Sequence, residues 1–228
     1  MHERIFEEVY GISDQATDPA LIIDDAMRID ACINRIASCI ETGRYDEAIE
    51  EGERILPIIR KRCGKCPTDR ADYACALATA YIEKKQLNKA DALLKREITV
   101  FDNIDERIAD PLFLVMTIDR AGVLNAPGKC IMARSAIDDL CAQYESEKRH
   151  VIAELDRMDE PDTDTGYLIM CADLVKLLCD KAIEKIGTGE VFSLNSLVRE
   201  SDIRDRIRSG DLPFDIDMVD YISSITDR

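Results

Sequence analysis

Apolar residues recur along this chain at intervals of three and four. Ile29, Cys32, Ile33, Ile36, Cys39 and Ile40 form a first stripe. Ala48, Ile49, Ile55, Leu56 and Ile59 form a second, with its phase loosened around Gly52. Ala74, Leu77, Ala78, Tyr81 and Ile82 form a third, and Ala90, Leu93, Leu94, Ile98 and Phe101 a fourth. This is the 3.6-residue period of helices with one buried face, not the two-residue alternation of strands. The pattern continues as helices over 112–124, 128–158 (long enough to break once) and 165–186. Gly43, Gly64, Pro67, Pro111, Pro127, Gly128, Pro161, Gly166, Gly187 and Gly189 punctuate the stripes. Asp162 to Gly166 supply N-cap chemistry ahead of Tyr167. The fold class predicted is all-α, with eight to nine helices joined by short links that favour antiparallel neighbours.

Two segments repeat. Cys39-Ile-Glu-Thr-Gly-Arg-Tyr-Asp-Glu-Ala48 and Tyr81-Ile-Glu-Lys-Lys-Gln-Leu-Asn-Lys-Ala90 each place a core residue, a polar turn, and a small alanine nine residues on. A weaker third copy runs from Ala121 to Cys130. Repeats near 40 residues built from helix pairs predict an α–α superhelix, in which each pair buries its face against the next. The alanine belongs where two helices cross and a larger side chain would separate them.

The stretch Leu77-Ala78-x-x-Tyr81 with Ala90 and Leu94, and Gly43, Tyr45 and Ala48 before it, resembles the tetratricopeptide repeat (TPR) pattern. The period here is longer than that family's usual 34 residues, the late proline is missing, and Arg35 and Gly52 depart from the pattern. The resemblance implies a concave face presented by the first helix of each pair. Its residues would include Asp30, Ile33, Asn34, Ala37, Ile40, Asp72, Cys75, Thr79 and Glu83. Of the basic clamp that some TPR proteins use for a terminal carboxylate, only Asn34 is matched. A second, local resemblance is to the 14-3-3 family. It rests on Leu124-Asn-Ala-Pro-Gly-Lys-Cys-Ile-Met-Ala-Arg-Ser-Ala-Ile-Asp-Asp139, Ile152-Ala-Glu-Leu-Asp156 and Leu168-Ile-Met170. That family's Arg-Tyr phosphate clamp would fall on Cys75-Ala76, so the anion site it implies is absent.

These readings give residues 1–186 as the helical-repeat domain and 187–228 as a capping segment or tail. In the tail, Ser193, Leu194, Leu197, Val198, Ile203 and Ile207 form a stripe that ends at Gly210. The tail either closes the end of the solenoid or lies in its groove.

Charge and cysteine content narrow the function. The 228 residues carry 46 acids against 30 bases, a formal charge of −16. Nucleic-acid binding needs a basic face, so no nucleic-acid partner is expected, and anionic lipid is disfavoured too. No run reaches the ~18 apolar residues of a membrane span. MHERIFEEVY has neither a basic n-region nor an apolar h-region, so no signal peptide is expected there. Nine cysteines, mostly inside helical stripes, fit a reducing cytoplasm in which Cys serves as a small core residue.

Two local features could carry chemistry. Cys63-Gly64-Lys65-Cys66-Pro67 could supply two zinc thiolates or a redox pair. It could equally be a helix C-terminus closed by Gly64 and a turn closed by Pro67. Zinc needs four ligands, and only His2 and His150 are available as histidines. Arg60, Lys61, Arg62, Lys65 and Arg70 form the one basic cluster of the chain. They suit an acidic or phosphorylated partner segment, or simply answer a helix dipole. No nucleophile–His–acid arrangement or Gly-rich phosphate loop is present, so an enzyme is not expected.

The function expected is a cytoplasmic protein–protein adaptor, free of cofactor, that binds a partner segment on the concave face. The alternatives are a 14-3-3-like homodimeric peptide binder, joined near Ile5, Phe6, Val9 and Tyr10, and a zinc- or thiol-dependent regulator using Cys63 and Cys66.

Overall fold

The structure is a computed structural model that describes residues 19–62, 67–101, 111–126, 129–155, 157 and 163–200. Among them it contains eight helices and no strand, as the 3.6-residue period requires. The helices are α1 (Pro19–Glu41), α2 (Tyr45–Arg62), α3 (Pro67–Glu83), α4 (Leu87–Phe101), α5 (Pro111–Leu124), α6 (Cys130–Leu155), α7 (Thr163–Lys185) and α8 (Leu194–Glu200). Pro19, Pro67 and Pro111 each open a helix, where a missing N–H costs nothing. The helix expected over 128–158 is unbroken from Cys130 to Leu155. α7 begins at Thr163, so Thr163 to Gly166, read as part of its cap, stand within its first turn, and Asp162 is outside the described residues.

The chain divides into two compact units, Met1–Asn103 and Ile104–Arg228. The division falls at 103/104. Residues 187–200 lie in the same unit as α5–α7, past the boundary expected at 186/187. The rest of that tail, from 201, is outside the described residues.

In the first unit α1 packs on α2, α2 on α3, α3 on α4, and α1 also on α3. The two repeated turns are built alike. After α1, the Gly43 N–H bonds to the Ile40 carbonyl at 3.0 Å and the Arg44 N–H to the Cys39 carbonyl at 2.8 Å. After α3, the Lys85 N–H bonds to Ile82 at 3.0 Å and the Gln86 N–H to Tyr81 at 2.8 Å. Both are helix ends closed through one left-handed residue, Gly43 at φ 70° and Lys85 at φ 58°. Ala48 and Ala90, the small residues of the repeat, are both fully buried. The third copy departs from this. Cys130 is only half-buried, and Ala133 is the small residue that α6 buries completely.

Gly52, in the middle of α2, explains the loosened phase. A Cβ there would stand 2.8 Å from Leu77 Cδ1 of α3. Its carbonyl accepts the buried Tyr73 hydroxyl at 2.7 Å. Pro57 sits inside the same helix and cannot donate to the preceding turn.

In the second unit α5 packs on α6, α7 and α8, and α7 lies along α6. Three residues spaced by three, Asp119 and Gly122 on α5 and Asn125 just past its end, hold the segment between α7 and α8. Asn125 is buried; its Nδ2 donates to the carbonyls of Lys185 (3.0 Å) and Glu190 (2.7 Å), and its Oδ1 accepts the Gly187 N–H (2.9 Å). At Gly122 a Cβ would fall 1.7 Å from the Phe192 carbonyl oxygen, so only glycine lets the backbones meet. Asp119 is buried, and its Oδ1 accepts the Leu194 N–H at 2.7 Å, at the first residue of α8. Ser193 and Ser196 cap α8 reciprocally, each side-chain oxygen accepting the other's backbone N–H, at 3.2 and 2.8 Å. Burial pushes the Asp119 carboxyl up to about 7, against a smaller opposing pull from the Leu194 amide.

Two predictions follow from these local geometries. Lys85 adopts a backbone conformation that favours glycine, so Lys85→Gly is expected to stabilise the protein by about 0.5–1 kcal/mol. A urea midpoint checks it; an unchanged or lower midpoint contradicts the role given to Lys85. The second concerns pH. Asp119 binds its proton more tightly folded than unfolded, so its contribution to stability is fullest below pH ~4 and is lost as pH rises toward about 7. Asp119→Asn keeps an acceptor for Leu194 and removes the charge. Thermal unfolding should find it more stable than the parent by about 1–3 kcal/mol above pH ~7.5, the gap narrowing as pH falls toward 4. A pH-independent difference would contradict the assignment.

Candidate functional site

The residues expected on the concave face stand together as a strip on each of two neighbouring helices. In α1 the buried side is Ile29, Cys32, Ile36 and Cys39. Successive residues turn by about 100°, and beside that core lie the half-buried Ile33, Ala37 and Ile40, with Asp30 and Asn34 exposed beyond them. In α3 the buried side is Ala71, Tyr73, Ala74, Leu77, Ala78, Ala80 and Tyr81. Next to it are the half-buried Cys75 and Thr79, with Asp72 and Glu83 exposed. Each strip therefore has a small, partly apolar floor and an acidic edge. None of the nine residues is basic. The Thr79 hydroxyl donates to its own helix, at the Cys75 carbonyl (2.9 Å), so the floor presents its methyl group as well.

The groups behind the strips are tied down. Glu51 of α2 holds Arg54 through two contacts, of 2.7 and 3.2 Å, and lies 3.9 Å from Arg35. The Arg54 hydrogen bonds lead in keeping the Glu51 carboxyl below the usual carboxylate range. The Cys32 thiol donates to the Glu51 carbonyl at 3.7 Å. Burial first, and the Glu51 charge second, push that thiol up to about 11, so it stays protonated at neutral pH. On the other side of α3, Glu53 accepts from Lys89 (2.6 Å) and the Tyr81 hydroxyl (3.0 Å), and the Lys89 ammonium stands 5.3 Å from the Tyr81 ring centre.

Of the basic cluster, only the side chains of Arg60 and Arg70 are described. Arg60 is exposed on the last turn of α2. Lys61 and Arg62 end that helix, where cations complement its dipole; their side chains, and all of Cys63, Lys65 and Cys66, are outside the described residues. Arg70 turns inward instead. Its guanidinium bonds Glu97 Oε2 of α4 at 2.6 and 2.8 Å, while the Arg96 Nε takes Glu97 Oε1 at 2.6 Å. Glu97 is buried, so Arg70 is held by the interior and is not offered to a partner.

Glu97, Asp119, Gly122 and Asn125 are the working residues that the sequence pattern passed over. The first gave no signal, because a charged residue at a core position looks like a break in the stripe. The other three did, since Asp119, Gly122 and Asn125 share one face of a helix by their spacing. Among the described residues no three His, Cys, Asp or Glu side chains converge as a metal site, and no helix is long and apolar enough to cross a membrane. The dimer contacts expected near Ile5, Phe6, Val9 and Tyr10 are outside the described residues. Comparison with protein-family models, with curated proteins and with solved structures gives no match to this chain.

Proposed function

We propose that this chain is a protein–protein interaction adaptor that binds a partner segment along the strips of α1 and α3. One observation carries the reading: two helices in direct contact each leave a partly apolar floor uncovered beside their core, edged by Asp30, Asp72 and Glu83, with no base among the nine residues. Half-buried apolar side chains gain from further burial, at ~25 cal/mol per Å². The acids select a cationic partner and disfavour an acidic one. The partner chemistry that fits is a Lys/Arg-bearing segment with apolar residues at helical or alternating spacing. The small floor residues Ala37, Cys75 and Thr79 admit its side chains without displacing the core behind them.

A peptide library selected against the full chain is expected to yield such basic amphipathic segments. Ala37→Arg and Thr79→Arg change the floor without touching the buried side. Each should weaken the selected peptides by about tenfold or more, the size of a central interface contact, and raising the salt should weaken them further. Titration calorimetry on folded variants reads both effects. Peptides with no cationic bias, or binding indifferent to both substitutions, would sink the proposal.

A further inference from the structure

α2 and α4 both pack on α3, and they run in the same direction. Asp46 of α2 bonds Lys84, just past the end of α3, at 2.8 Å, and the Gly52 carbonyl accepts from Tyr73 at 2.7 Å, so numbering rises along α2 as it falls along α3. Lys89 of α4 lies 5.3 Å from the Tyr81 ring centre and Glu97 bonds Arg70 at 2.6 Å, in the same antiparallel sense. Long side chains also join α2 to α4 directly, where Glu53 accepts from Lys89 at 2.6 Å. Two turns beyond that pair, ~10.5 Å along each helix, stand Arg60 and Arg96. Seven residues bring a helix back to the same face within about 20°. Ile55 and Ile59 are both buried, so α2 keeps its phase past Pro57. The positions that hold an acid and a base at one level therefore hold two bases at the next.

At this end of the unit Arg70 and Arg96 share the one buried carboxylate of Glu97. Arg96 spends its Nε on that carboxylate, and its Nη2 is buried with no hydrogen-bond acceptor. Arg60 is exposed and, among the described residues, has neither ion pair nor hydrogen bond. Burial leads in raising the Tyr73 hydroxyl above its ordinary value, and Arg96 and Arg60 both oppose it, so both charges act at one residue of α3. Among the described side chains, three guanidinium groups thus face a single carboxylate, an excess of two positive charges.

We propose that Arg60 and Arg96 form a binding site for a phosphate monoester, seated between the C-terminal halves of α2 and α4. A dianion matches the excess of two charges, where a carboxylate would cancel only one. The guanidinium fork also suits phosphate, whose oxygens it can take two at a time. One phosphate oxygen supplies the acceptor that Arg96 Nη2 lacks, and another takes the unoccupied guanidinium of Arg60. Arg70 is a positioning residue here. It keeps the Glu97 carboxylate occupied and so reduces the repulsion the anion would meet. The site does not depend on the strips of α1 and α3, whose acids select the opposite charge.

The test titrates the full chain with inorganic phosphate, with a blocked Ala–phosphoserine–Ala peptide and with acetate, at matched ionic strength. Arginine side-chain N–H signals are followed by NMR. Phosphate and the phosphopeptide are expected to bind saturably, one per chain, and to move the Arg96 Nε–H signal, whereas acetate leaves it in place. Arg60→Gln should weaken both ligands by about tenfold or more, the worth of a charge-assisted hydrogen bond. Arg60 makes no bond within the described fold, so its loss leaves the packing alone, and an unchanged urea midpoint checks this. Arg44→Gln removes a cation at the opposite end of α2, paired with Glu47, and should leave binding unchanged. Tighter binding of the phosphopeptide assigns the site to a phosphorylated protein segment; phosphate binding as well or better assigns it to free phosphate or small phosphate esters. No saturable binding, an equal response to acetate, binding indifferent to Arg60→Gln, or equal losses in Arg60→Gln and Arg44→Gln would each overturn the proposal.

Discussion

Both units are organised around a place where one side chain's width is missing. In the first, α2 reaches α3 at Gly52, where Leu77 occupies the space a Cβ would need. Ala48 lies one turn earlier on the same face, and Ile55 and Ile59 extend that face to the end of the helix. The close approach brings the Gly52 carbonyl within 2.7 Å of the Tyr73 hydroxyl, so a buried polar group is satisfied by the contact that buries it. In the second unit Gly122 admits the Phe192 backbone, and Asp119 and Asn125, one turn to either side, can then reach the amides and carbonyls that follow α7. A Cβ at Gly122 would meet backbone, which cannot move aside as the Leu77 methyl groups can. The second unit is the less tolerant of the two.

The same economy governs the buried polar groups. Glu97 has two guanidinium groups on it, Asn125 uses both ends of its amide, and Asp119 accepts one backbone amide. The three differ in what offsets the loss of water. Glu97 has cations beside it, so its charge is compensated where it sits. Asn125 carries no charge. Asp119 has only a dipole facing it, and burial outweighs that dipole, which is why its carboxyl is driven toward neutrality near physiological pH. Ordering of the 186–194 segment on α5 and the protonation of one carboxyl are thus linked.

Much of this was legible in the sequence, and the rest failed for a definable reason. The stripes gave the helices, because a 3.6-residue period records which side of each is buried. The repeat from Cys39 to Ala48 and Tyr81 to Ala90 gave two turns with the same hydrogen bonds, although Lys85 replaces glycine at the left-handed position. The strip residues on α1 and α3 were expected from the tetratricopeptide resemblance, and they stand half-buried or exposed beside the core of each helix. What escaped was pairing across helices. Arg70 reads as one of five clustered bases until Glu97, 27 residues on, is placed opposite it. Gly52 and Gly122 read as weak points in a helix until the neighbour that fills their missing Cβ is known. The division at 103/104 escaped because the helical stripes on its two sides look alike, and only contacts distinguish them.

Charge shows how far placement matters beyond composition. Residues 104–228 hold 26 acids and 15 bases, and so carry most of the net −16. Residues 19–101, which include α1–α4, hold fourteen of each. The acidic edge of the strips is therefore not a share of a general excess, since the segment that holds it is balanced in charge. Arg44, Arg54, Arg70, Lys84, Lys89 and Arg96 are all paired with acids of the first unit. At physiological salt, fields from exposed charges fade over ~8 Å. A cationic segment would thus feel Asp30, Asp72 and Glu83 only as it settles on the floor between them. In the proposed binding mode such acids would contribute more to choosing a partner and its register than to drawing it in from a distance.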